Sequence, residues 1–121
     1  MKRISSVLLF AAALVVLTSL SAMASPLSLG VAGDYNTFIF NNFTATSDTQ
    51  GRLAVGGNMN VSGYSVGDQL PANSGDVLVV GGDLTYSSGR VYNGDVVVGG
   101  SYTGPGYDLA SSGDVTVNCT S

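Results

Sequence analysis

Leu53-Ala54-Val55-Gly56-Gly57-Asn58-Met59-Asn60-Val61 returns as Leu78-Val79-Val80-Gly81-Gly82-Asp83-Leu84-Thr85-Tyr86, and then as Val96-Val97-Val98-Gly99-Gly100-Ser101-Tyr102-Thr103. A fourth copy, Val115-Thr116-Val117-Asn118-Cys119, loses the glycines. In each copy the large apolar residues share one phase of a period-2 alternation, the mark of short strands with one buried side. The motif Gly-Asp-Val gives the period a second time, at Gly75-Asp76-Val77, Gly94-Asp95-Val96 and Gly113-Asp114-Val115, with 19 residues from each aspartate to the next. A repeat near 20 residues that carries strand-like alternation points to a coil stacked on copies of itself.

The expected fold is therefore all-β: a right-handed parallel β-solenoid of about four coils. Parallel strands stack at about 4.8 Å, so Leu53, Leu78, Val96 and Val115 should form one internal ladder and Val55, Val80, Val98 and Val117 the next. The second glycine of each pair falls in the inward phase, where a tight bend would leave no room for a side chain. Corner glycines are also expected to supply positive φ. The step from Leu53 to Leu78 is 25 residues, against 18 and 19 for the next two. The surplus is assigned to a protruding loop, residues 66–73, around Pro71.

The two ends read differently. Lys2 and Arg3 precede an apolar run from Val7 to Leu20, and Ala22-Met23-Ala24 offers a small-x-small exit. This is the pattern of a signal peptide, residues 1–24, cleaved after Ala24; its small-residue exit and the polar, glycine-rich sequence behind it weigh against a membrane anchor. The remaining residues 25–121 make one domain. Leu29 to Phe43 holds Tyr35, Phe38, Phe40 and Phe43. A solenoid's end coil exposes its interior, so this segment is expected to form an N-terminal aromatic cap, with Phe38 and Phe40 facing the same way. An aromatic ligand platform is the alternative reading.

Beyond the leader, Arg52 and Arg90 stand against eight aspartates, a net charge of −6. Such a surface disfavours nucleic acid and anionic membranes, which need cationic contacts. Cys119 is the sole cysteine, so packing rather than disulfides must hold the domain. There is no histidine, and every acid is an aspartate. Nothing pairs a base with any serine, and the chain reads as non-catalytic.

Two constellations remain. Asp76, Asp95 and Asp114 should stack one rung apart, as turn residues bonded to backbone or as ligands for calcium, which favours carboxylate and carbonyl oxygen. No other cofactor is expected. Ala54, Val79, Val97 and Thr116 fall in the outward phase and should form a flat, weakly apolar strip. Such a strip could adhere to a regular surface, ice or a polymer.

Leu29-Gly30-Val31-Ala32-Gly33-Asp34-Tyr35-Asn36, Gly51-Arg52-Leu53-Ala54-Val55-Gly56-Gly57-Asn58 and Tyr64-Ser65-Val66-Gly67 resemble the choice-of-anchor A family. The resemblance runs from about Leu29 to Gly82. It implies an exported bacterial surface protein with an adhesive, solenoid-like domain, some members being described as collagen-binding, and no catalytic residues. Members usually continue into a C-terminal membrane anchor; this sequence, ending at Ser121, resembles the first part of such a protein. The expected role is adhesion to a matrix or surface polymer, a collagen-like protein or a polysaccharide. The alternative is an ice- or polysaccharide-binding solenoid acting through a flat strand face.

Overall fold

The computed structural model describes residues 29–117. The leader, Asn118 and Cys119 lie outside them. A short 3-10 helix, Gly30–Asp34, leads into twelve strands: β1 (Thr37–Ile39), β2 (Phe43–Ala45), β3 (Asp48–Thr49), β4 (Leu53–Val55), β5 (Met59–Val61), β6 (Tyr64–Val66), β7 (Asp76–Val80), β8 (Leu84–Tyr86), β9 (Gly89–Val91), β10 (Asp95–Val98), β11 (Tyr102–Thr103) and β12 (Val115–Val117). They form three sheets, ordered β1-β4-β7-β10-β12, β2-β5-β8-β11 and β3-β6-β9. Every pairing is parallel. The chain visits the first, second and third sheets in rotation, and Val91 bridges to Ala110 where a further third-sheet strand would lie. This all-β, parallel arrangement is compatible with a β-solenoid.

Register follows the hydrophobic phase. Leu53 pairs with Leu78, Leu78 with Val96 and Val96 with Val115, while Val55, Val80, Val98 and Val117 make the second ladder. Both ladders are as the alternation predicts. Met59, Leu84, Val61 and Tyr86 continue the interior on the second sheet, and Val66 and Val91 on the third. Each of these is at most 2 % exposed, except on the last rung, where Val115 is half-buried and Val117 is 40 % exposed. Full burial of one such side chain stabilises by about 1.5–3 kcal/mol, so the ladders are the main support of the fold.

The two repeat spacings are reconciled by one bulge. Asp95 pairs with Asp76, yet Val96 pairs with Leu78. Val77 is thus the extra residue in β7, and both Val77 and Leu78 are buried. A bulge lets two residues of one strand oppose one of its neighbour. The 19-residue aspartate period and the 18-residue ladder step therefore coexist.

The glycine pairs are required for a reason other than the expected one. None of Gly56, Gly57, Gly81, Gly82, Gly99 or Gly100 has positive φ. A Cβ on Gly56 would stand 2.6 Å from the Phe40 carbonyl oxygen, and one on Gly81 2.5 Å from that of Gly56. A Cβ on Gly82 would meet the Asn58 side chain and lie 2.8 Å from the Gly57 carbonyl oxygen. The obstruction is the rung beneath, not the interior. Glycine here allows one backbone corner to rest on the next.

The aromatic segment, expected as an N-terminal cap, is extended and supplies the lowest rung of the first and second sheets among the described residues, β1 pairing with β4 and β2 with β5. Ile39 and Phe43 pack toward the core. Phe38 and Phe40 do face the same way, with ring centroids 5.2 Å apart, but that way is outward, at 38 % and 80 % exposed. Period 2 places Ile39 inside, and its two neighbours have no other side available.

The insertion is a loop pinned by hydrogen bonds. Val66 ends β6, and the following residues turn out at Gly67. Leu70 returns to pack on the core. Arg52 Nη2 donates to the Ser74 carbonyl at 2.6 Å, the Ser74 hydroxyl to the Pro71 carbonyl at 2.6 Å, and Asn93 Nδ2 to the Gly67 carbonyl at 2.9 Å.

Candidate binding faces

Because each strand is about three residues long, each contributes one central outward side chain, and stacking turns these into rows. On the first sheet Phe38 pairs with Ala54, Ala54 with Val79, Val79 with Val97 and Val97 with Thr116. The expected strip is in strict register and gains Phe38 as a fifth member. It is not evenly open: Ala54 is only 6 % exposed, Val79 and Val97 are half-buried, and Thr116 is exposed. Contact on this face therefore falls to Phe38, Val79, Val97 and Thr116.

The second sheet carries a row that the sequence reading missed. Thr44 pairs with Asn60, Asn60 with Thr85 and Thr85 with Thr103. Thr44, Asn60 and Thr103 are exposed and Thr85 is half-buried. The signal was present in every copy, as the residue between two inward ones in Phe43-Thr44-Ala45, Met59-Asn60-Val61 and Leu84-Thr85-Tyr86.

A polar ladder runs up the corner between these two sheets. Asn42 Oδ1 accepts from the Asn58 N–H at 2.8 Å, Asn58 Oδ1 from the Asp83 N–H at 2.9 Å, and Asp83 Oδ1 from the Ser101 N–H at 2.8 Å. Each side chain thus satisfies a backbone donor one rung up, where the glycine corner leaves it unpaired in the sheet. The Asp83 carboxyl is held below its ordinary value, first by the Ser101 backbone N–H and then by the Ser101 hydroxyl. Hydrogen bonds to an ionised carboxylate favour that form.

Of the three candidate calcium residues, Asp95 has a similar use. Asp76 and Asp95 are register partners, and Asp95 Oδ1 accepts from the Asp114 N–H at 2.9 Å. The bond ties one rung to the next rather than closing a local turn. Among the described residues no three His, Cys, Asp or Glu side chains gather as a metal site requires.

The third sheet exposes charge instead. Asp48, Ser65 and Arg90 form its outward row. The Arg90 guanidinium lies 5.2 Å from the centroid of the Tyr107 ring, and the Tyr107 hydroxyl accepts from the Gly89 N–H at 3.0 Å and donates to its carbonyl at 2.9 Å. Behind this sheet two buried phenols are satisfied internally. Tyr64 shares a 2.6 Å hydrogen bond with the Thr49 hydroxyl, and the Tyr86 hydroxyl donates to the Tyr64 carbonyl at 2.5 Å. Burial raises the Tyr86 pKa strongly, with the neighbouring tyrosines adding to the shift. Both phenols are hydrogen-bonded within the interior.

No helix of the described residues is long and apolar enough to cross a membrane. No curated protein and no solved structure matches the chain. A family model described as "Putative Ice-binding-like adhesive domain" matches residues 28–120, spanning all three sheets. The match supports an adhesive surface-protein family without naming the choice-of-anchor A family. By this match the chain belongs to the family of ice-binding-like adhesive domains.

Proposed function

We propose that this chain is a non-catalytic adhesion module of the cell exterior, holding a matrix or surface polymer through the outer face of its first sheet. The observation that carries the reading is the unbroken register of Phe38, Ala54, Val79, Val97 and Thr116 on the longest sheet. Uncharged side chains repeating at about 4.8 Å suit a partner that also repeats, such as a collagen-like protein or a polysaccharide. Membership of an adhesive-domain family supports a working place outside the cell, and the leader pattern of residues 1–24 fits export. We read the winding as right-handed, the usual hand of parallel crossovers, with about four coils beginning at an aromatic end. The choice-of-anchor A family is our narrower assignment, resting on the motifs around Arg52.

A second reading is favoured by the threonine row of the second sheet. Thr44, Asn60, Thr85 and Thr103 offer hydrogen-bonding groups in register, which suits ice or another ordered hydroxylated surface. Retention of the chain on collagen, polysaccharides and whole cells tests the first reading, and ice recrystallisation inhibition tests the second. Adhesion is expected without turnover of any polymer on the panel. Retention on none of these partners would sink the adhesion reading, and release of soluble sugar would sink the non-catalytic one.

A further inference from the structure

We infer that the polymer is an uncharged, linear polysaccharide, and that it lies along the edge where the first sheet turns into the second, against Phe40. This rests on the adhesion reading and names its ligand class and contact.

Gly56, Gly81 and Gly99 follow one another up that edge as bare backbone, and Gly56 and Gly81 are exposed. The bareness is built in, since a Cβ at either exposed position would run into the carbonyl of the rung beneath. On one side of the strip stand Val79 and Val97; on the other stand Asn58, Asp83 and Ser101, all three exposed. The strip is thus aliphatic along one border and hydrogen-bonding along the other. Phe40 closes its lower end, 80 % exposed and set at 61° to Phe38.

Those features select among polymers. A pyranose presents C–H groups on its ring face and hydroxyls around its edge, which matches an aliphatic border, a polar border and an aromatic face. An anionic chain gains nothing here: no lysine or arginine stands on the strip, and Asp83 is held ionised by its bonds to Ser101. An extended peptide adding as a strand needs free main-chain groups. Along the strip these are already paired: Gly81 N–H with the Val55 carbonyl, Gly99 N–H with that of Val80 and Gly82 N–H with that of Gly57. A strip one side chain wide also suits a single linear chain better than a globular surface.

The test is co-sedimentation of the full chain with cellulose, chitin and an insoluble β-glucan, beside alginate as the anionic polymer. Whole cells and collagen serve as independent adhesion probes. The wild type is expected to sediment with at least one neutral polysaccharide and not with alginate. Phe40→Ala should weaken that retention about tenfold with an unchanged melting temperature, since the ring is mostly in solvent. Val97→Asp should weaken it further, and Thr85→Val on the neighbouring face should leave it unchanged. Retention that survives Phe40→Ala, or that Thr85→Val abolishes, overturns the contact. Binding to cells or collagen with none to the neutral polysaccharides overturns the ligand class while the adhesion reading stands. Binding to nothing overturns both.

Discussion

The first and second sheets share an interior and a corner, yet they face solvent with opposite chemistry. Outward from the first stand Phe38, Ala54, Val79 and Val97, with Thr116 only on the last rung; outward from the second stand Thr44, Asn60, Thr85 and Thr103. Inward, both pack into one hydrophobic core, aliphatic on the first sheet and joined by Phe43, Tyr86 and Tyr102 on the second. The contrast separates two jobs within one repeat. The inward phase sets the register, and the outward phase, apart from the buried Ala54, is left to carry a surface.

The sharpest way to break the comparison is to damage what the two sheets share. Leu78→Ala empties a fully buried site between rungs and is expected to cost about 2–5 kcal/mol. A denaturant melt should show it, with both faces lost together. If the second face kept its activity after the first had lost its own, the sheets would not be one cooperative unit.

Gly82→Ala attacks the common corner. The new Cβ would press on the Gly57 carbonyl and the Asn58 side chain, for an expected loss of about 1–3 kcal/mol. Gly63 has open space beside it but positive φ. Gly63→Asn, a residue that tolerates that backbone, should therefore melt close to wild type. Equal effects at the two sites would mean that rung-on-rung contact is not what the glycine pairs provide.

Asp83 sharpens the comparison through pH. Its folded pKa lies below the ordinary aspartate value of 3.8, so the unfolded chain takes up a proton first as pH falls. The stabilisation from this group is present above 3.8 and disappears as pH drops through the lower folded value. Asp83→Asn keeps a side-chain oxygen for the Ser101 N–H, as Asn58 does for Asp83, and should flatten part of the acid limb of a melting-temperature curve. An identical acid limb in the variant would remove the ladder from the account.

The smallest effects are expected on the outer rows, where the comparison is tested most cleanly. Val79→Thr and Thr85→Val should each change stability by about 0.5 kcal/mol or less. They should nevertheless exchange character between faces: the first weakens polymer retention, and the second weakens any inhibition of ice recrystallisation. A stability loss several times larger at either site would show that the outward phase is not free.

How much of this was legible without coordinates varies by element. The ladders from Leu53 to Val115 and from Val55 to Val117 were, because period 2 leaves one burial pattern and one register. The first-face row was legible for the same reason, though not the near-burial of Ala54. The threonine row was equally available, as the central residue of each second strand, but was not singled out. The uses of Asp83 and Asp95 were not legible. Their partners are backbone N–H groups 18 and 19 residues away, and a carboxylate beside glycine is written the same way whether it binds calcium, its own turn or the next rung.

Sequence by itself determined the period, the inward phase and the acidic, histidine-free chemistry, since these are properties of residue order and side-chain type. Only the tertiary structure decided that Phe38 and Phe40 stand outward on a first rung. It alone showed that the glycine pairs serve contact between rungs rather than left-handed backbone, and that Val77 is a bulge. Each of these depends on which backbone rests on which, a relation between residues 16 to 25 positions apart that no local preference encodes.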